Sequence, residues 1–199
     1  QKEILENPDI TRPEEEKKSK RFKRFLGGLF EILQMLAMAL VLYFIIDSVI
    51  ARVRVFNISM EPTLVQGEIL MVNKLQYKFS DIRHGDIITF HFPLDPERDY
   101  VKRVIGLPGD EVRIINGSVF VNRMELFEPY ISASPEYEGT WVVPQNNLFV
   151  LGDNRNPSAD SHVWGFVPFE NVIGKAFLVY WPVTHIRALP TPDLFTPLG

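Results

Sequence analysis

Polar and apolar positions divide this chain into stretches of different texture. Residues 1–24 are charged, rich in Glu and Lys, and show no apolar spacing that would bury a face, so the pattern predicts a mostly disordered tail. From Phe25 to Ile46 the chain is almost wholly apolar, interrupted by Glu31 and Gln34. As a helix that run reaches about 33 Å, enough to cross a hydrocarbon core, and a membrane-spanning helix is assigned to residues 25–51. After Arg54 come short runs of Val, Ile, Phe and Tyr broken by Gly, Pro, Asn and Asp, the texture of many β-strands. Strands are predicted over 68–72, 86–92, 100–105, 111–115, 118–121, 147–151 and 175–181. Asn116-Gly117 between two of them is a two-residue hairpin signal, because both turn positions want positive φ. No amphipathic helix of three turns is predicted beyond the anchor. Pro190, Pro192 and Pro197 mark a frayed tail over 190–199. The expected organisation is a tail (1–24), a transmembrane helix (25–51), a β-rich domain (52–189) and a Pro-rich end (190–199).

Composition and charge sharpen this picture. A chain of 199 residues, 46% hydrophobic, accommodates an anchor plus one globular unit of about 150 residues. Lys17, Lys18, Lys20, Arg21, Lys23 and Arg24 precede the apolar run, and by the positive-inside rule such a cluster stays cytoplasmic and sends the remainder outward. The expectation is a single-pass plasma-membrane protein with an extracytoplasmic main domain. A cleavable signal peptide has a shorter apolar core and a small-residue cleavage site, whereas this run ends in Asp47-Ser48-Val49-Ile50-Ala51. The competing element is a buried amphipathic helix, because Glu31 is costly in lipid unless it lies near the interface. Residues 52–199 carry 13 basic against 17 acidic side chains, so no basic surface favours a nucleic-acid partner. The absence of cysteine excludes disulfides and thiolate metal sites.

Two residues then stand out. Ser59 opens Ser-Met-Glu-Pro-Thr-Leu 13 residues past Ile46, and Lys102 lies in Tyr-Val-Lys-Arg-Val-Ile-Gly-Leu-Pro-Gly-Asp. A serine hydroxyl is a poor nucleophile until a base takes its proton. A lysine can be that base only when neutral, which requires its pKa to fall from about 10.4 toward the working pH at a cost of about 4 kcal/mol. Burial among Tyr100, Val101, Val104 and Ile105 is the expected source of that shift. His84, His91, His162 and His185 keep a Ser-His-Asp triad open.

The joint occurrence of four patterns in one order resembles the type I signal peptidases. Ser59-Met60-Glu61-Pro62-Thr63-Leu64 is similar to the nucleophile box of that family, Gly85-Asp86-Ile87-Ile88-Thr89-Phe90 to its following strand, and residues 100–110 to its lysine box, with Lys102-Arg103 in register. Residues 152–168, from Gly152-Asp153-Asn154-Arg155 through Ser158-Ala159-Asp160-Ser161-His162, match its last box. The resemblance implies a membrane-anchored, mostly β catalytic domain with the family's complex β fold, acting without a cofactor or metal. It implies a serine endopeptidase that removes signal peptides from exported precursors, cutting after small residues. Carried over by position, Ser59 is the nucleophile, Lys102 the general base, Ser158 the hydroxyl that orients the amine, and Asp160 a supporting carboxylate. Asp153 and Arg155 are expected as scaffold members forming an ion pair. The implied partners are signal-peptide-bearing precursors and membrane lipid.

Three departures matter. Many members carry Arg where His162 stands, Asp-Asn where Asn156-Pro157 stands, and Ser or Gly where Asn57 stands. The Asn57 amide is the expected side-chain donor to an oxyanion beside the Ser59 N–H. Competing readings are a soluble self-cleaving Ser/Lys peptidase, disfavoured by the anchor, an inactive anchored scaffold, and a Ser–His hydrolase using His162.

Overall fold

The structure, a computed structural model, describes residues 12–195. It comprises two units, one ending at Asp47 and the other starting at Ser48. The first is formed by helix α1 (Arg12–Val49). Its start corrects the expected tail: residues 12–24 are helical, and only residues 1–11 of that tail lie outside the described residues. The physical reason is in the sequence, where proline and three glutamates precede a run of lysines and arginines. Proline is pre-organised for a first helical turn, and acidic residues close behind it complement the positive end of the helix dipole. Beyond Arg24 the helix is apolar except at Glu31, Gln34, Asp47 and Ser48, with Phe25, Phe30, Met38 and Phe44 each more than half exposed. Such a surface needs a lipid or protein cover. Among the described residues, Lys20–Val49 is the one helical segment long and apolar enough to cross a membrane.

The second unit is built from twelve strands among the described residues: β1 (Ile50–Arg54), β2 (Ile69–Asn73), β3 (Ile87–Phe92), β4 (Asp95–Gly106), β5 (Glu111–Ile115), β6 (Ser118–Val121), β7 (Met124–Glu125), β8 (Gly139–Val142), β9 (Asn147–Leu151), β10 (Val167–Pro168), β11 (Val172–Trp181) and β12 (Arg187–Ala188). The larger sheet runs β1-β2-β11-β3-β4-β9-β10, with β12 also paired to β11, and the smaller runs β7-β6-β5-β8. Every pairing is antiparallel. Two single-turn helices, α2 (Gln76–Phe79) and α3 (Ser161–Trp164), complete the unit.

Period-2 alternation divides the core. On β9, Leu148 and Val150 pack with Ile88, Phe90 and Val104, whereas Phe149 and Leu151 turn to the cluster made by the small sheet. A third cluster joins Leu70, Val72, Ala176 and Val179 to Met60 and Leu64, and so anchors the segment that carries Ser59. The Asn116-Gly117 turn is present, with φ of 50° and 78° and Ile115 opposite Ser118. A second such turn at Asn122-Arg123 (φ 51° and 71°) lacks the Asn-Gly signature and left no comparable mark in the sequence.

The end of the chain is not frayed as far as Phe195. Leu194 is 1% exposed in the small-sheet cluster, and its carbonyl accepts the Phe127 N–H at 2.7 Å. The Thr191 hydroxyl donates to Asp86 Oδ1, which also pairs with the Lys175 ammonium at 2.6 Å. The prolines disfavour regular structure, yet the apolar Leu194 side chain has a core to enter, and its burial decides the path. Leu194→Ala in the full chain in detergent is therefore expected to lower stability by about 2–4 kcal/mol, read as an earlier unfolding transition. A tail that merely frays gives no change.

Candidate active site

Strand β4 lies between β3 and β9 in the larger sheet, with Lys102 opposite Ile88 of β3 and Arg103 opposite both Ile87 of β3 and Leu151 of β9. Lys102 is 2% exposed. Burial pushes its pKa down to about 8, while Asp160 and Asp153 pull the other way. The ammonium donates to Ser158 Oγ at 2.9 Å, and Ser158 is itself buried.

Ser59 stands at the start of a turn between β1 and β2, closed by a Leu64 N–H to Met60 C=O bond of 2.8 Å. Its hydroxyl is 6% exposed as a residue and donates to Asn57 Oδ1 at 2.8 Å, which also accepts the Ser59 N–H at 3.2 Å. This corrects the expected role of Asn57: the side chain meets Ser59 through its carbonyl oxygen, as acceptor.

The loop after β9 joins the two halves. Asn154 N–H donates to Ser59 C=O at 3.0 Å, and the Asn154 side-chain amide donates to Ile58 C=O at 3.1 Å. A Cβ on Gly152 would stand 2.4 Å from the Ser59 carbonyl oxygen and 2.2 Å from Ser158 Oγ. The glycine thus permits the approach of the serine that meets Lys102 to the turn that carries Ser59. Asp160 holds this loop, accepting the Gly152 N–H at 2.9 Å through Oδ2 and facing His162 Nδ1 at 2.6 Å through Oδ1. The His162 ring stacks on Tyr137 with centroids 3.7 Å apart. His84, His91 and His185 have carboxylate partners of their own, Asp110, Asp99 and Glu68, and among the described residues the Ser59 hydroxyl bonds to Asn57 rather than to a histidine.

Asp153 and Arg155 do not pair with each other, contrary to expectation. Asp153 takes a two-pronged bond from Arg103, at 2.8 and 2.6 Å, and Arg155 forks onto Glu128 while its Nε donates to Gly152 C=O at 3.1 Å. Tyr130 lies between, its ring 3.9 Å from the Arg103 guanidinium and its hydroxyl donating to Glu128 at 2.7 Å. Each arginine finds a carboxylate that presents both oxygens, a fit that a neighbour two residues away offers poorly. Arg103 was legible as part of the lysine motif. Glu128 was not, because it lies in an irregular segment with no motif around it. Beside Asn57 and Met60 a cavity of about 510 Å³ opens between the end of β1 and the first half of β4.

The family described as signal peptidase, peptidase S26, matches residues 29–181. The chain is 47% identical over 138 residues to a probable signal peptidase I-2 of Synechocystis sp., covering 66% of this chain and 63% of that protein. It is 40% identical over 177 residues to a signal peptidase I of Leptolyngbya laminosa, covering 84% and 87%. A crystal structure of a signal peptidase I from Enterococcus faecalis is 31% identical, with a TM-score of 0.45 over 48% of this chain and 97% of that one. The chain belongs to the signal peptidase family, peptidase S26. Within it, this is a serine endopeptidase of the signal peptidase I type.

The crowding at Gly152 generates a test. Gly152→Ala inserts a methyl where Ser158 and the Ser59 carbonyl already meet, and is expected to lower turnover about 100-fold or more, since a misplacement of about 1 Å costs that much. Single-turnover cleavage measures it.

Proposed function

We propose that this enzyme removes N-terminal signal peptides from exported precursors, with Ser59 as nucleophile and Lys102 as general base. The observation that carries the reading is the buried Lys102 amine, whose pKa is brought down to about 8 and whose hydrogen bond goes to Ser158 beside the Ser59 turn. Neutral Lys102 takes the Ser59 proton, and Oγ attacks the scissile carbonyl. The tetrahedral intermediate collapses as the lysine ammonium protonates the leaving amine. The same amine then deprotonates a water, which hydrolyses the ester and regenerates the serine. Ser158 orients the amine by accepting a hydrogen bond from it. The Ser59 N–H becomes an oxyanion donor once Asn57 Oδ1 releases it.

The substrate chain lies extended in the cavity beside Asn57 and Met60, where β1 and β4 supply backbone partners for an added strand. Helix α1 is the anchor: the basic residues 17–24 stay cytoplasmic, and the catalytic unit faces outward near the membrane surface. That location meets a precursor while the apolar part of its signal peptide is still in lipid.

Ser59→Ala and Lys102→Ala, purified in detergent, are each expected to abolish cleavage of a secretory precursor. Lys102 is protonated and useless as a base below its pKa, so kcat/KM of the natural chain should rise with pH and level off above about 8. An acid limb that vanishes in His162→Ala would instead assign the base to histidine. Orientation is checked separately. Because the chain has no cysteine, a single one introduced at Lys18 should be shielded from an impermeant thiol reagent in intact cells, and one at Ser118 should be labelled.

A further inference from the structure

The turn that carries Ser59 belongs to no regular element, so its rigidity comes from what grips it. Its front is held by Asn154, and its middle by Met60 and Leu64, 1% and 0% exposed. Its rear is held by a group that no sequence motif marks. Glu68, just ahead of β2, is 1% exposed, and its Oε2 accepts the Val65 N–H at 3.0 Å. Arg187 of β12 forks onto both oxygens of that carboxylate, each at 2.7 Å, and its Nη2 also donates to Thr63 C=O at 2.6 Å. His185 Nδ1 adds a contact to Oε1 at 2.9 Å. The guanidinium thus ties together three points: the rear of the turn, the start of β2 and, through β12, the long strand β11.

We propose that Arg187, acting with Glu68, is a positioning residue for catalysis that fixes the Ser59 turn from behind; the proposal rests on Ser59 being the nucleophile. A planar fork is required. One guanidinium nitrogen must serve Glu68 and the Thr63 carbonyl together while the other completes the carboxylate pair, and a lysine offers only a point charge. A buried carboxylate without its cation is costly, so the pair stabilises the turn in one arrangement only while both members are present. Neither side chain meets Lys102 or Ser158. Loosening the turn therefore displaces Oγ without altering the base.

The test is steady-state cleavage of a precursor peptide by the full chain in detergent, with kcat and KM read separately. Arg187→Met is expected to lower kcat about 10- to 100-fold, to leave KM within about threefold, and to keep the acid limb of the pH profile in place. Methylguanidinium added to Arg187→Ala should restore part of kcat, since Arg187 is partly exposed and its vacated site is open to solutes. Should Arg187→Met lose the unfolding transition of the natural chain, Arg187→Lys, which keeps a cation for Glu68, carries the test with the same expected split. Unchanged kcat in a folded variant, or equal losses with no guanidinium rescue, overturns the proposal. Ser59→Ala runs beside it: activity surviving there would sink the nucleophile assignment itself, whatever Arg187 does.

Discussion

An ammonium group placed where water cannot reach it is unfavourable, and the structure around Lys102 is organised by that constraint. Desolvation alone lowers the pKa, and the two nearby carboxylates, Asp160 and Asp153, limit the fall. Both carboxylates are saturated by other partners, Asp160 by Gly152 N–H and His162 and Asp153 by Arg103. What remains for the amine is a neutral hydroxyl, that of Ser158. An amine that met a free carboxylate directly would hold its proton, and the site depends on denying it one.

This explains why so much charge is buried close by. Arg103 and Arg155 are 2% and 1% exposed, and a buried cation is tolerated only with a well-aligned partner. Their bidentate bonds to Asp153 and Glu128 contribute little net stability compared with apolar packing. They do fix the backbone of residues 152–155 in one conformation, through Arg155 Nε on Gly152 C=O and through Asp153 itself. The loop so fixed bears on Ser59 from one side, and the Glu68–Arg187 pair bears on its turn from the other.

Much of this was legible in the sequence, for identifiable reasons. The predicted strands 111–115 and 118–121 were found at those bounds because period-2 burial and a two-residue turn overdetermine them. Strands β7, β10 and β12 span two residues each, too few for any period to register. Ser59, Lys102, Ser158 and Asp160 were named from motif order, and the structure brings them to one locus. Their hydrogen-bond partners were harder to read. Asp153 and Arg155 invite pairing by proximity in the chain, but the backbone bends at Asp153-Asn154, and each found a longer-range partner. Glu128, Glu68 and Arg187 act across separations that leave no local pattern. The helical residues 12–24 were hidden by a different effect, since a charged run that buries no face looks like a tail even where its charge order supports a helix.

The closing segment has a consequence for how the molecule comes into being. Leu189 and Leu194 are wall residues of two separate core clusters, and β12 pairs with the middle of the large sheet. A chain made from its N-terminus brings these residues out only after the strands they pack against. Neither cluster can be sealed before then. The apolar helix therefore emerges long before either core can close, and a finished catalytic unit waits on two leucines far from the active-site motifs.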